Sequence, residues 1–347
     1  MPPIAKSGML GMLSGAGGGG VPPVFYRELI RKTLTSASDT IDSGTFDASK
    51  NLLILGNFIS AGNIKPELQF NSETGTEYSR RGSQNGASDS TETSANYIDP
   101  IIYQGGTGNS ILAVTNVVNE TDEEKLSQTQ ACYSGSEGAG TATDRTYFNG
   151  KFVDSSNDIT SVQYTNTEAG DFASGSQIII LGSLGGADTV WELIGTASVT
   201  SGNTLETDVF TTKKFIYFQA YIDGAVGSGD PYLRANQDSG NNYSYRVSNN
   251  GGSDYTGVNQ TYWQNYGADA VSPRFIDGYI LNQTNEEKLA VFQYCDTNND
   301  GAGNAPERQE SNGKYSPSDL STNITRLGFY MNTGNFEKAE LRVYGFD

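Results

Sequence analysis

The chain has 347 residues, with 40 Asp and Glu against 22 Lys and Arg for a formal charge of −18, and it contains no histidine. That length suits two domains with a core each. The acidity argues against a nucleic-acid partner, and the missing imidazole excludes Ser-His-Asp and Cys-His catalysis and His-ligated zinc.

Residues 1–24 read as a Gly-rich arm. Its single cation, Lys6, precedes a run broken repeatedly by Gly and Ser, a poor signal-peptide core. The small apolar residues Met9, Leu10, Met12 and Leu13 are candidate assembly contacts. Nowhere does the sequence approach the roughly 18 consecutive apolar residues of a membrane span, so no span is expected.

From residue 25 onward the chain repeats itself at a shift of about 164 residues. Glu28-Leu29-Ile30 recurs as Glu192-Leu193-Ile194, and Leu68, Tyr78, Arg81, Asn85-Gly86 and Tyr97 recur as Leu233, Tyr243, Arg246, Asn250-Gly251 and Tyr262. Glu123-Glu124-Lys125-Leu126, Cys132, Arg145 and Asn149-Gly150-Lys151 recur as Glu286-Glu287-Lys288-Leu289, Cys295, Arg308 and Asn312-Gly313-Lys314. The expected organisation is thus repeat 1 over 25–185 and repeat 2 over 186–347, divided at Gly185-Gly186. Cys132 and Cys295 then fall in separate units, too far apart for the roughly 4.4–6.8 Å Cα spacing of a disulfide, and both read as buried thiols.

In repeat 2 the predicted strands are 192–199, 214–222, 232–235, 243–248, 256–263, 274–281, 288–295, 323–331 and 339–346, rich in aromatic and β-branched residues and bounded by Gly, Asn, Asp or Pro. No helical period emerges. Eight or nine short strands in each unit fit an all-β chain of two tandem, jelly-roll-like β-sandwiches. Each unit closes alike, a Gly- and Phe-bearing turn leading to Gln177–Gly182 in one and to Glu340–Gly345 in the other.

The Gly-rich arm, the Asn-, Gly- and Tyr-rich units and the closing Leu341-Arg342-Val343-Tyr344-Gly345 together resemble virion structural proteins of tailed bacteriophages, in particular head decoration and tail-associated proteins. The resemblance is one of organisation over the whole chain. It implies a non-enzymatic capsid-decorating or tail-associated protein of the virion, assembled in the host cytoplasm. It also implies symmetric homo-oligomers, a trimer above all, with other virion proteins and a host surface glycan as partners.

Two patterns in repeat 2 are candidate sites. Asp296, Asn298, Asp300 and Glu307 satisfy the spacing of a calcium loop with Gly301 at its turn position, so calcium is the one cofactor to consider. Against it stand Pro306 beside Glu307, strands on both flanks, and Tyr133 where repeat 1 would need the first ligand. Tyr245, Tyr255, Trp263 and Tyr266 are aromatic in repeat 2 alone and could stack sugars, whereas Tyr78, Tyr97, Tyr243 and Tyr262 are shared by both copies and read as core. The Glu-Glu pairs beside Lys125 and Lys288 read as solvated, and no carboxylate stands out as catalytic. The leading expectation is a virion structural protein that is not an enzyme. Its alternatives are a carbohydrate-binding adhesin on a virion or cell surface, a double jelly-roll capsid protein and a His-free glycosidase or lyase.

Overall fold

A computed structural model describes residues 26–98, 107–183, 190–226, 229–264, 273–296 and 307–347, and among them there is no helix. The arm, including Met9, Leu10, Met12 and Leu13, and the boundary at Gly185-Gly186 lie outside the described residues. Repeat 1 contains β1 (Tyr26–Thr33), β2 (Thr40–Asp42), β3 (Asn51–Ala61), β4 (Pro66–Phe70), β5 (Tyr78–Gln84), β6 (Ser90–Ala95), β7 (Thr107–Val118), β8 (Lys125–Tyr133), β9 (Asp144–Phe152), β10 (Val162–Asn166) and β11 (Gln177–Ser183). Repeat 2 contains β12 (Glu192–Val199), β13 (Thr204–Glu206), β14 (Phe215–Val226), β15 (Pro231–Ala235), β16 (Tyr243–Asn249), β17 (Tyr255–Gln260), β18 (Arg274–Leu281), β19 (Lys288–Asp296), β20 (Glu307–Tyr315), β21 (Leu327–Met331) and β22 (Asn335–Phe346).

Each copy is a two-layer β-sandwich, as the sequence predicts. The large sheets run β1-β11-β3-β7-β8-β9-β5-β6 and β12-β22-β14-β18-β19-β20-β16-β17, and three-stranded sheets β2-β10-β4 and β13-β21-β15 cover them. All neighbours are antiparallel, so one strand face points into each sandwich and the other away. Leu52, Ile54 and Phe58 join the core of repeat 1, and Ile216, Phe218 and Ile222 join that of repeat 2. The hairpin turns at Asn85-Gly86 and Asn250-Gly251 hold both residues at φ between 51° and 71°, which Asn and Gly tolerate best.

The alternate residues are also buried. Leu53, Leu55, Leu112, Val114, Ile179 and Leu181 of repeat 1 pack against Trp191, Phe215, Leu281, Leu289, Val291, Tyr344 and Phe346 of repeat 2 in a third apolar layer. The large sheets therefore meet back to back. This explains why segments such as Gln177-Ile178-Ile179-Ile180-Leu181 are apolar without alternation: they are covered on both faces. At about 1.5–3 kcal/mol per buried Leu, Ile or Phe, the layer is comparable to a small domain core.

Three expectations need correcting here. Cys132 is buried, but Cys295 is exposed. Strand β20, Glu-Arg-Gln-Glu-Ser-Asn-Gly-Lys-Tyr, was not expected because its polar residues do not alternate with apolar ones; Asn312 and Lys314 are nonetheless buried against the other sandwich, and Gln309 and Ser311 are buried on the opposite face of the strand, bonded to each other. The Glu-Glu pair is solvated as expected in repeat 1, where Glu123 and Glu124 are exposed, but in repeat 2 Glu287 is buried and accepts from the Gly138 amide at 2.6 Å, and the adjoining lysines are buried as well. Lys125 Nζ donates to the carbonyls of Glu120 and Glu123, both at 2.7 Å, and Lys288 Nζ to those of Gln283, Glu286 and Leu320 at 2.6–2.8 Å. Both lysines are buried loop clamps, and burial brings the Lys288 amine down to about 8. Asn119 and Asn282 are buried too and tie neighbouring segments together, Asn119 bonding Ser49 and Ile159 and Asn282 bonding Lys213 and Ile324.

Candidate functional site: a tyrosine face on repeat 2

Strands β13, β21 and β15 turn one set of side chains inward and another outward. Leu233, Leu205 and Phe329 are buried, while Tyr232, Arg234, Tyr330 and Glu206 alternate with them on the outer face. Tyr232 pairs with Tyr330 across the ladder. A bridge from Leu233 to Trp263 brings Tyr262 alongside, and its ring stacks on Tyr232 with centroids 3.8 Å apart and planes within 2°.

Polar groups fix these rings. Arg234 lies over the Tyr330 ring at 5.0 Å and donates through Nε to the Thr261 carbonyl at 2.9 Å. The Tyr330 hydroxyl donates to Glu206, which also pairs with Arg326 at 3.3 Å, and Asn332 donates to the Tyr232 hydroxyl at 2.8 Å. Burial, then neighbouring Tyr232, pushes the Tyr262 phenol up to about 12. Tyr255, 59% exposed, borders the group beside Tyr245 at 6.1 Å between centroids. In repeat 1 the matching face is polar: Glu67 pairs with Thr165 where Tyr232 pairs with Tyr330, and Gln69 replaces Arg234. Rigid, coplanar aromatic faces flanked by an amide, an arginine and a carboxylate can stack a sugar ring and bond its hydroxyls.

The sequence-predicted aromatic set is only partly on this surface. Tyr255 is exposed, whereas Tyr245 (1% exposed) and Trp263 (0%) are buried and cannot take a ligand, and Tyr266 lies outside the described residues. Their burial has a steric cause. A Cβ on Gly257 would lie 2.3 Å from the Tyr245 ring, and one on Gly313 would lie 2.5 Å from the Trp263 indole, so each ring fills the place a side chain would take. Tyr78 and Tyr243 are core as expected; Tyr97 and Tyr262, also expected in the core, are half-buried and stack outside it, Tyr97 beneath the Lys65 amine. The overlooked members are Tyr232, Tyr262 and Tyr330. Glu67 facing Tyr232 in the two-copy alignment was the available signal.

Of the calcium pattern, Asn298 and Asp300 lie outside the described residues, while Asp296 and Glu307 are ladder partners at the open end of β19 and β20. Glu307 accepts from Asn250 at 3.4 Å. Among the described residues no three His, Cys, Asp or Glu side chains converge as a metal site. Between the sandwiches, a cavity of about 150 Å³ is lined by Asn116, Gln128, Gln130, Asp277, Tyr279 and Gln293. Burial there pushes the Asp277 carboxyl up to about 6, against a bond from Gln293 that lowers it.

No helix among the described residues is long and apolar enough to cross a membrane. No protein-family model and no curated protein matches the sequence. Among solved structures, domains LG4-5 of the mouse laminin alpha1 chain align at 10% identity and a TM-score of 0.21, over 94% of this chain and 93% of that one. The LG1-3 region of the laminin alpha2 chain aligns at 8% identity and a TM-score of 0.22, over 88% of this chain and 64% of that one. At TM-scores this low neither likeness establishes a shared fold.

Proposed function

We propose that the protein is a non-enzymatic structural component of a virion surface that assembles as a symmetric homo-oligomer through its N-terminal arm. The observation that supports this reading is the apolar layer between the sandwiches, which joins them into one stiff block instead of two independently moving modules. A duplicated unit used in this way adds surface for neighbours without adding chemistry. Light scattering after gel filtration tests it on the full chain and on a version lacking residues 1–24. A defined trimer or larger assembly that falls apart without the arm supports the proposal, and a monomer indifferent to the arm rejects it.

A second reading, a carbohydrate-binding adhesin, is favoured by the Tyr232–Tyr262 pair, present on the second copy and replaced by Glu67 on the first. On this reading the outer face of β13, β21 and β15 holds a glycan. Tyr232→Ala then abolishes retention on a glycan array while leaving the oligomer intact. Retention that survives this change excludes the face as the binding site.

A further inference from the structure

We propose that the cleft on the open side of the junction between the two sandwiches binds the carboxylate of an acidic sugar between Arg81 and Arg308. The argument starts from the duplication. Arg145, Arg246 and Asp254 correspond in the other copy to Arg308, Arg81 and Asp89. On one side of the junction the first set is closed. Asp254 (side chain 2% exposed) sits between the guanidiniums, Oδ1 2.8 Å from Arg145 and Oδ2 3.9 Å from Arg246, and Arg145 is completed by Glu310 at 2.7 Å. Gly86 makes this approach possible, because a Cβ there would lie 2.6 Å from the Asp254 backbone nitrogen.

An exact two-fold relation between the copies would set Asp89 between Arg308 and Arg81 in the same way. The copies do come close to such a relation at Gln130 and Gln293, which are equivalent and bonded to each other at 3.2 Å. Elsewhere they depart from it. Asp89 reaches only Arg81, at 3.7 Å, and Arg308 turns to Glu310; the side chains of Arg81, Asp89 and Arg308 are 65%, 53% and 57% exposed. Where the second Asp-Arg cluster would stand there is a cleft of about 680 Å³ lined by Arg81, Asp89 and Arg308, and it reaches to Arg145 and Glu310 of the closed set, Glu310 bonding both Arg145 and Arg308.

The closed side displays the group that the open side suits: one carboxylate between two guanidiniums, the geometry in which charge-assisted bonds are strongest. Two ligand-facing arginines are also conspicuous in a chain with 22 cations among 40 acids. The remaining walls indicate a sugar rather than a bare anion. Ser253 and Asn149 offer hydroxyl and amide partners, Tyr147 offers a ring, and the volume falls in the range of small-molecule sites, about 300–1,000 Å³. The site is distinct from the tyrosine face and does not depend on it.

The test is calorimetric titration of the full chain with a panel of uronate- and sialate-bearing oligosaccharides, their neutral counterparts and succinate. Arg81→Ala, Arg308→Ala and Tyr232→Ala are titrated alongside; the two arginines are exposed, so their removal leaves the fold intact. Expected is binding of at least one acidic sugar, weakened about ten-fold or more by either arginine change and unmoved by Tyr232→Ala. No acidic binder in the panel, equal affinity for the neutral counterpart, or binding indifferent to both arginine changes overturns the proposal. Succinate binding as tightly as the sugar overturns the assignment to a saccharide.

Discussion

Lys314 and Lys151 hold the same place in the two copies, yet Lys314 is wholly buried while the Lys151 side chain is 40% exposed. Lys314 Nζ donates to the carbonyls of Ser134 and Ser136 in the opposite sandwich, both at 2.7 Å, and lies 3.5 Å from the buried Glu287. Lys151 merely meets Glu124 at the surface. Lys314→Ala strands a carboxylate and two carbonyls inside the junction, and we expect a loss of about 3–5 kcal/mol in urea unfolding. Lys151→Ala should change stability by less than about 0.5 kcal/mol. Equal effects would mean that the two lysines share one environment.

The Asp277 carboxyl gives the junction a pH dependence. Its folded pKa of about 6 lies above the value of about 3.9 in an unfolded chain, so the fold favours the protonated form. The stabilisation is therefore complete below about pH 4 and lost as pH rises through 6. Asp277→Asn should remove this slope and raise stability above pH 7 by something on the order of 2–3 kcal/mol, read from melting curves at pH 4 to 8. A variant whose stability tracks the parent across that range would contradict the assignment.

The two thiols should react very differently. Burial pushes Cys132 up to about 12 and hides it from reagents, whereas Cys295 is exposed. A thiol reagent should titrate one cysteine per chain in the native protein and two in denaturant. Cys295→Ser should leave no fast-reacting group, and a fast reaction surviving it would place Cys132 at the surface.

Gly313 and Trp263 form a close pair that a single methyl group disrupts. A Cβ at Gly313 would lie 2.5 Å from the fully buried indole, in the middle of the repeat 2 core. Gly313→Ala should cost about 1–3 kcal/mol through overpacking. Trp263→Ile is no remedy, since in repeat 1 a Cβ on Gly150 would still lie 2.6 Å from the matching Ile98; in a Trp263→Ala background, however, Gly313→Ala should cost less than it does alone. A double variant weaker than the sum of its parts would show that the two residues do not compete for space.

The sandwich architecture was legible because its core strands are aromatic and β-branched between turn residues, and because the chain states its pattern twice. β12 and β18 fall on the predicted limits, 192–199 and 274–281. What could not be read was the contact between the copies. β20 hides there because the residues it presents to the other sandwich are an amide, Asn312, and a lysine, Lys314, both bonded across the contact, and polar residues of this kind ordinarily mark a loop. The aromatic site was half legible for a related reason. A difference between copies singled out Tyr255, but it also singled out Tyr245 and Trp263, whose rings occupy space left by glycines on neighbouring strands, and a strand partner is invisible in a linear chain.

The double-sided burial of β3, β7 and β11 has a consequence for the history of the chain. A single copy released by recombination would carry Leu53, Leu55, Leu112, Val114, Ile179 and Leu181 as an open apolar face, the kind of surface that drives aggregation. Once each copy had specialised to cover the other, neither could be traded as a free module. The duplication became a one-way step, and from then on the two halves could only be inherited together.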